Sequence, residues 1–130
     1  MVEPELIWNA NYHSTRWLSG SWLNENAIDS SILMTNEFIR LPYYANFRTT
    51  YPLPGNEYFF LQDIQSMNID YLVLFWSIWS ERYPYMYNYI DTPPPNMVEI
   101  TRWNYIAQDG RELGFLIYKM VNNIECEVIA

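Results

Sequence analysis

The sequence is poor in the residues that most reactive sites need. Its 130 residues include one cysteine, one histidine and four glycines. A single cysteine, Cys126, excludes an intramolecular disulfide. One His and one Cys cannot supply zinc-type ligation, which draws on three or four such side chains. His13 therefore reads as a surface or helix-entry residue, and no metal is expected. A nucleophilic triad would have to use His13, and no Gly-x-Ser-x-Gly turn exists to present a serine. The glycines form neither Gly-x-Gly-x-x-Gly nor a Walker loop, so no phosphate cradle and no cofactor are expected. Lys and Arg total 7 against 15 acids, a formal net charge of −8. That balance disfavours nucleic acid, which needs clustered cations, and anionic lipid. No apolar run approaches the roughly 20 residues of a membrane span. Met1–Ala10 carries acids where a signal peptide has a basic start, so none is expected. No Asn-x-Ser/Thr acceptor occurs.

What is present is hydrophobic and aromatic: half the residues are apolar, with six Trp and twelve Tyr. That composition argues against disorder and suits one domain over 1–130, with an ordered core expected over about 12–120 and frayed ends. The acidic pairs Glu3/Glu5 and Glu125/Glu127 lie near the termini and read as solvated charge.

The chain's central stretch is Asp70–Trp76. After its first residue it is continuously apolar and rich in β-branched and aromatic side chains, the pattern of a strand buried on both faces. Met1–Asn11 has no clear period and reads as an exposed lead-in. Ser14 can cap a helix from Thr15 to about Asn26, with Trp17, Leu18 and Trp22 on its apolar face. Ser31–Thr35 reads as a first buried strand. Phe38–Ala45 reads as a short helix interrupted by Pro42. Arg48–Tyr51 is a shorter, more polar strand suited to a sheet edge, and Pro52-Leu53-Pro54-Gly55 breaks it. Glu57–Asn68 is an amphipathic helix with Phe60, Leu61, Ile64 and Met67 as its stripe. A further helix is expected over Glu81–Ile90, ended by Pro93-Pro94-Pro95. Met97–Ile106 and Arg111–Met120 are two strands joined through Asp109-Gly110, a hairpin signal. The tail from Val121 reads as a frayed end or an added edge strand. The predicted fold is a three-layer α/β/α sandwich. Its mixed sheet has about five strands, three of them parallel, closed by a C-terminal antiparallel hairpin.

Ligands of open α/β sheets favour the crevice outside the carboxyl ends of the parallel strands. Here that places Asn36 and Glu37 after the first strand, and Ser77 and Trp79 after the central one. Tyr43, Tyr44, Arg82 and Tyr83 lie in the segments that follow. Flat aromatic faces with amide, carboxylate and guanidinium groups suit a glycan. They equally suit docking onto another part of a larger polypeptide, or packing of the fold. The aromatic stretch Trp76–Tyr89 carries the same choice between core and ledge.

Several motifs in order resemble a known series. They are Trp22-Leu23-Asn24-Glu25-Asn26, Asp29–Asn36, Leu41–Thr49, Ile69–Leu74, Arg82-Tyr83-Pro84 and Asp91–Pro95. Together they resemble the C-terminal domain of prokaryotic dolichyl-phosphate-mannose–protein mannosyltransferase-like membrane enzymes of GT-C architecture. The resemblance covers about Trp17 to Met120. It implies an extracytoplasmic domain of a larger membrane protein, partnered by the transmembrane portion of the same polypeptide and placed to meet a glycan or protein acceptor. In such enzymes the catalytic acid lies in a loop among the membrane helices, and this chain has neither an Asp-Asp nor an Asp-x-Asp element. No catalytic residue carries over. The resemblance thus implies a non-catalytic accessory domain. The residues alone also admit a free-standing carbohydrate-binding or protein-interaction module, or a small soluble enzyme.

Overall fold

The computed structural model describes residues 4–75, 83–106, 110 and 112–121. Helix α1 spans Pro4–Asn26. It is followed by strand β1 (Leu33–Thr35), helix α2 (Leu41–Tyr44), strand β2 (Thr50–Pro52) and helix α3 (Glu57–Ser66). Strand β3 (Tyr71–Phe75), helix α4 (Met86–Asp91), strand β4 (Met97–Ile106) and strand β5 (Glu112–Met120) complete the order. The five strands form one sheet in the order β2-β1-β3-β5-β4. β1 pairs parallel with both β2 and β3, and β5 pairs antiparallel with both β3 and β4. The central stretch thus lies in the middle of a mixed sheet with three parallel strands and a C-terminal hairpin, as its unbroken apolar run predicts.

All five residues of β3 are buried, and alternation sorts them between two cores. Tyr71, Val73 and Phe75 face Leu23 and Ala27 with Leu41 and Ala45 at α2, joined by Phe115 and Ile117 of β5. Leu72 and Leu74 face Phe60 of α3 and Met86 of α4, joined by Leu116 and Tyr118. Helices therefore cover both faces of the sheet, which is the three-layer arrangement. A strand walled in on both sides has no polar position to offer, and its sequence shows none.

Several boundaries differ from the sequence-based expectation. α1 begins at Pro4, so Ser14 lies inside the helix and not at its N-terminus. Proline suits a first helical turn because its missing N–H would be unbonded there anyway. Trp17 is exposed while Leu18 and Trp22 pack on the core, because Trp17 lies off the stripe that carries Leu23 and Ala27. Leu61 of α3 is likewise exposed, and Phe60, Ile64 and Met67 hold the packed face. β2 starts two residues late because Asn46 and Phe47 still take left-handed backbone, with φ of 51° and 52°. Pro52 is tolerated in β2 because that strand is at the sheet edge. Tyr83–Tyr85 precede α4 without joining it. Gly110 takes φ of 86°, as a hairpin glycine can. Residues 107–109, 111 and 122–130 lie outside the described residues, as do Trp76–Arg82.

Two close contacts bind α1 to α2. At Gly20, an added Cβ would stand 2.2 Å from the Tyr44 carbonyl oxygen. The helices approach through the missing side chain. Arg48 then closes the C-terminal end of α1. Its Nη2 donates to the carbonyls of Leu23 (3.2 Å) and Ala27 (2.8 Å), and its Nε donates to Ile28 (3.1 Å). Its Nη1 donates to the Ala45 carbonyl (2.9 Å) and to Asn24 Oδ1 (2.6 Å). The last carbonyls of a helix lack intrahelical partners and carry its negative dipole end, so a planar cation serves them well. The Asp29 contact at 3.4 Å involves a 92% exposed carboxylate and adds little.

Two substitutions test this account. An exposed helical Gly→Ala change stabilises by about 1 kcal/mol. Gly20→Ala is expected to reverse that sign and destabilise by about 1–3 kcal/mol, the range of overpacking. Arg48→Met leaves several buried carbonyls unbonded at about 1–3 kcal/mol each. It is expected to cost at least about 3 kcal/mol, and Arg48→Lys is not expected to restore it, since one ammonium cannot span those acceptors. Urea denaturation midpoints measure both.

Candidate functional site

The carboxyl ends of β1 and β3 lie side by side, and Asn36 stands between them. Its Nδ2 donates to the Phe75 carbonyl at 2.9 Å, and the Phe75 N–H donates back to its Oδ1 at 3.0 Å. A primary amide has the donor and acceptor spacing of a peptide group, so Asn36 extends the ladder by one rung. Glu37 follows, and its N–H donates to Thr35 Oγ1 at 3.1 Å. Its half-buried carboxylate receives Arg16 Nη2 at 3.1 Å and Nε at 3.2 Å. Arg16 is fully buried in α1, stacks 4.8 Å from the Phe75 ring centroid and donates to Thr15 Oγ1 at 2.9 Å. Sequence reasoning missed Arg16. Its charge inside an apolar stripe, spaced i, i+7 from Leu23, was the available signal.

The other expected residues divide between the two faces of the sheet. Tyr44 is half-buried against Gly20, and its carbonyl accepts from Asn24 Nδ2 at 3.0 Å. Tyr43, beside it, is 71% exposed. Tyr83 is half-buried against the core on the opposite face, with Tyr85 and Tyr89. Tyr44 and Tyr83 therefore do not meet in one cleft. Ser77, Trp79 and Arg82 lie outside the described residues.

The described part of the aromatic stretch mostly packs. Tyr85 and Tyr89 lie on the Phe60 ring at centroid distances of 5.5 and 5.2 Å. The Tyr85 hydroxyl donates to the Pro54 carbonyl, and Tyr89 Oη donates to Glu57 Oε1 at 2.8 Å. Tyr87 remains exposed. Burial raises the Tyr85 phenol well above its ordinary range, helped by neighbouring Tyr83, Tyr89 and Glu57. Tyr89 is pushed up to about 12 by burial, its bond to Glu57 and that carboxylate's charge. Tyr118 is pushed up to about 12 by burial, with Glu99 raising it further and Arg102 opposing.

Several rings stand outside this packing, Trp17, Tyr58 and Phe59 among them, and one exposed pair also carries unusual backbone. Tyr43 and Phe47 are each 71% exposed, with ring centroids 5.3 Å apart and planes at 73°. The turn beneath them is closed by the Phe47 N–H donating to the Pro42 carbonyl at 2.9 Å, the six-to-one bond of a helix C-terminal motif. Asn46 suits its left-handed position, whereas Phe47 takes a conformation that bulky residues avoid.

Among the described residues, no three His, Cys, Asp or Glu side chains gather where they could hold a metal ion. No helix among them is long and apolar enough to cross a membrane. No protein-family model, curated protein or solved structure matches the chain.

The tyrosine environments set an alkaline limit. An unfolded tyrosine ionises near pH 10. A phenol that folding holds neutral to about 12 leaves stability intact below pH 10 and withdraws it as pH rises from 10 to 12. Tyr118→Phe is expected to make the fall of the urea midpoint shallower across that window and to leave its pH dependence between 6 and 9 unchanged.

Proposed function

We propose that this chain is a non-catalytic accessory domain of a membrane-bound glycosyltransferase that uses a lipid-linked sugar. It stands on the extracytoplasmic face, docks on the transmembrane portion of the same polypeptide and takes part in acceptor recognition. The observation that carries this reading is the ordered series of motifs. Its polar members are the residues that tie distant parts of the fold together. Asn24 and Arg48 join α1 to α2, and Asn36 joins β1 to β3. Asp70 accepts from the Ile32 N–H at 2.7 Å and aligns the starts of β1 and β3. A series whose members fix one architecture supports likeness of the whole domain. The same bonds commit those residues to the chain itself, which fits a domain that leaves chemistry to the membrane portion.

A free-standing carbohydrate-binding or interaction module is the second reading. The exposed Tyr43–Phe47 pair favours it, because solvent-facing aromatic rings suit recognition.

Transfer from lipid-linked mannose separates these readings. The full-length protein encoded by the parent reading frame is expected to transfer mannose to an acceptor, and to lose most of that activity when this chain is deleted. The isolated chain is expected to transfer none, since transfer needs a positioned acid or base and a bound donor. Turnover by the isolated chain that a point substitution within it abolishes would overturn the proposal.

A further inference from the structure

We propose that Tyr43 and Phe47 form a preformed corner that binds the apolar face of a neutral sugar ring. This deepens the acceptor-recognition reading above and rests on it only for the choice of a mannoside among the probes. The geometry comes first. Two rings 5.3 Å apart with planes at 73° form an edge-to-face pair. A pyranose offers a matching shape, a patch of C–H groups on one side with hydroxyls around its rim. Both rings are 71% exposed, so neither is consumed by the core. Asn46 is exposed between them in the chain, and its amide can donate to one hydroxyl and accept from another.

The corner is held before any ligand arrives. The Phe47 N–H is bonded to Pro42, and the Arg48 N–H to Ala45 at 3.2 Å. Arg48 in turn anchors the turn to α1 through the Ala45 carbonyl and Asn24. A ligand therefore has little loop to order on binding. Phe47 adds a second argument. At φ of 52° it occupies backbone that glycine or asparagine would hold with less strain. An aromatic ring that is strained and mostly wet contributes little to the fold, and observed strain of this kind points to function.

Charge argues against an anionic ligand. The chain carries −8 overall, the guanidiniums of Arg16 and Arg48 are buried and bonded, and the nearby Arg40 is itself engaged. An anionic ligand such as a phosphate headgroup would meet a repulsive overall field, and the described guanidiniums near the corner are already engaged.

Saturation-transfer NMR on the 130-residue chain tests this, with the methyl pyranosides of mannose, glucose and galactose as probes. A proline-rich peptide and phosphatidylcholine vesicles serve as competing ligands. At least one pyranoside is expected to bind through its ring C–H face. Tyr43→Ala and Phe47→Gly are each expected to weaken it by roughly tenfold, the scale of one lost ring contact. Phe47→Gly is also expected to leave the melting temperature unchanged or raised. The proposal is overturned if no pyranoside binds, or if binding survives both substitutions. It is equally overturned if the peptide or the vesicles are the ligand those substitutions abolish, or if Phe47→Gly lowers the melting temperature by many degrees. None of these outcomes bears on transfer by the full-length protein.

Discussion

The guanidinium of Arg48 is the constraint on which the helical layer over one sheet face depends. Four of its acceptors are backbone carbonyls from three places: the end of α1, the turn after it and the end of α2. Those segments have few other means of fixing their relative positions. α2 is only four residues long and has no side-chain cap at its start. A helix so short has no stability of its own and must borrow it from packing. Gly20 brings it close, and Arg48 sets how far along α1 it lies. The arginine is buried, yet its charge is met by oriented carbonyl dipoles instead of a buried carboxylate. This avoids desolvating two ions for one contact.

A second buried arginine works near the middle of α1. Arg16 reaches the carboxyl end of β3 and pairs with Glu37 just beyond β1. α1 is therefore tied at its C-terminal end to the start of the crossover turns and near its middle to the strand ends. The consequence for function is direct. In many open α/β sheets the strand-end crevice is where ligands enter. Here its described part is occupied by the chain's own amide, carboxylate and guanidinium, bonded to one another or to backbone. Such a network is rigid and has its hydrogen-bonding groups committed.

Much of the architecture was legible in the sequence, for a physical reason. β3 must be apolar on both faces because helices cover both, so an unbroken run marked it without ambiguity. The Asp-Gly pair marked the hairpin, and the apolar stripe marked α3, although the helix ends at Ser66 and Asn68 takes left-handed backbone beyond it. The first helix was less legible. Its N-terminal half shows no clear apolar period, so its start at Pro4 could not be read. The candidate site was least legible. Asn36 and Glu37 were placed correctly at a strand end, but whether a polar side chain turns outward or bonds its own backbone depends on neighbours far along the chain. Phe75 and Arg16 lie 39 and 21 residues away. Tyr43, Tyr44 and Tyr83 were grouped by proximity in sequence to the strand ends, and the sheet then divided them between its two faces.

That division also sorts the aromatic content. A chain this rich in Tyr and Trp needs somewhere to put the rings, and α3 and α4 take a large share around Phe60. There Tyr85 and Tyr89 bury their rings and give their hydroxyls to Pro54 and Glu57, the arrangement that makes tyrosine an inexpensive core residue. Tyr43 and Phe47 do the opposite. They lie in and just after a short helix that packs through Leu41 and Ala45, and both rings are mostly exposed. The fold has apolar positions enough without them. A ring whose backbone is strained and whose face is wet works against stability on both counts, and its neighbour shares the exposure without the strain. Within the described residues, the place where local conformation and burial both disagree with the residue present is the place where a binding role explains more than packing does.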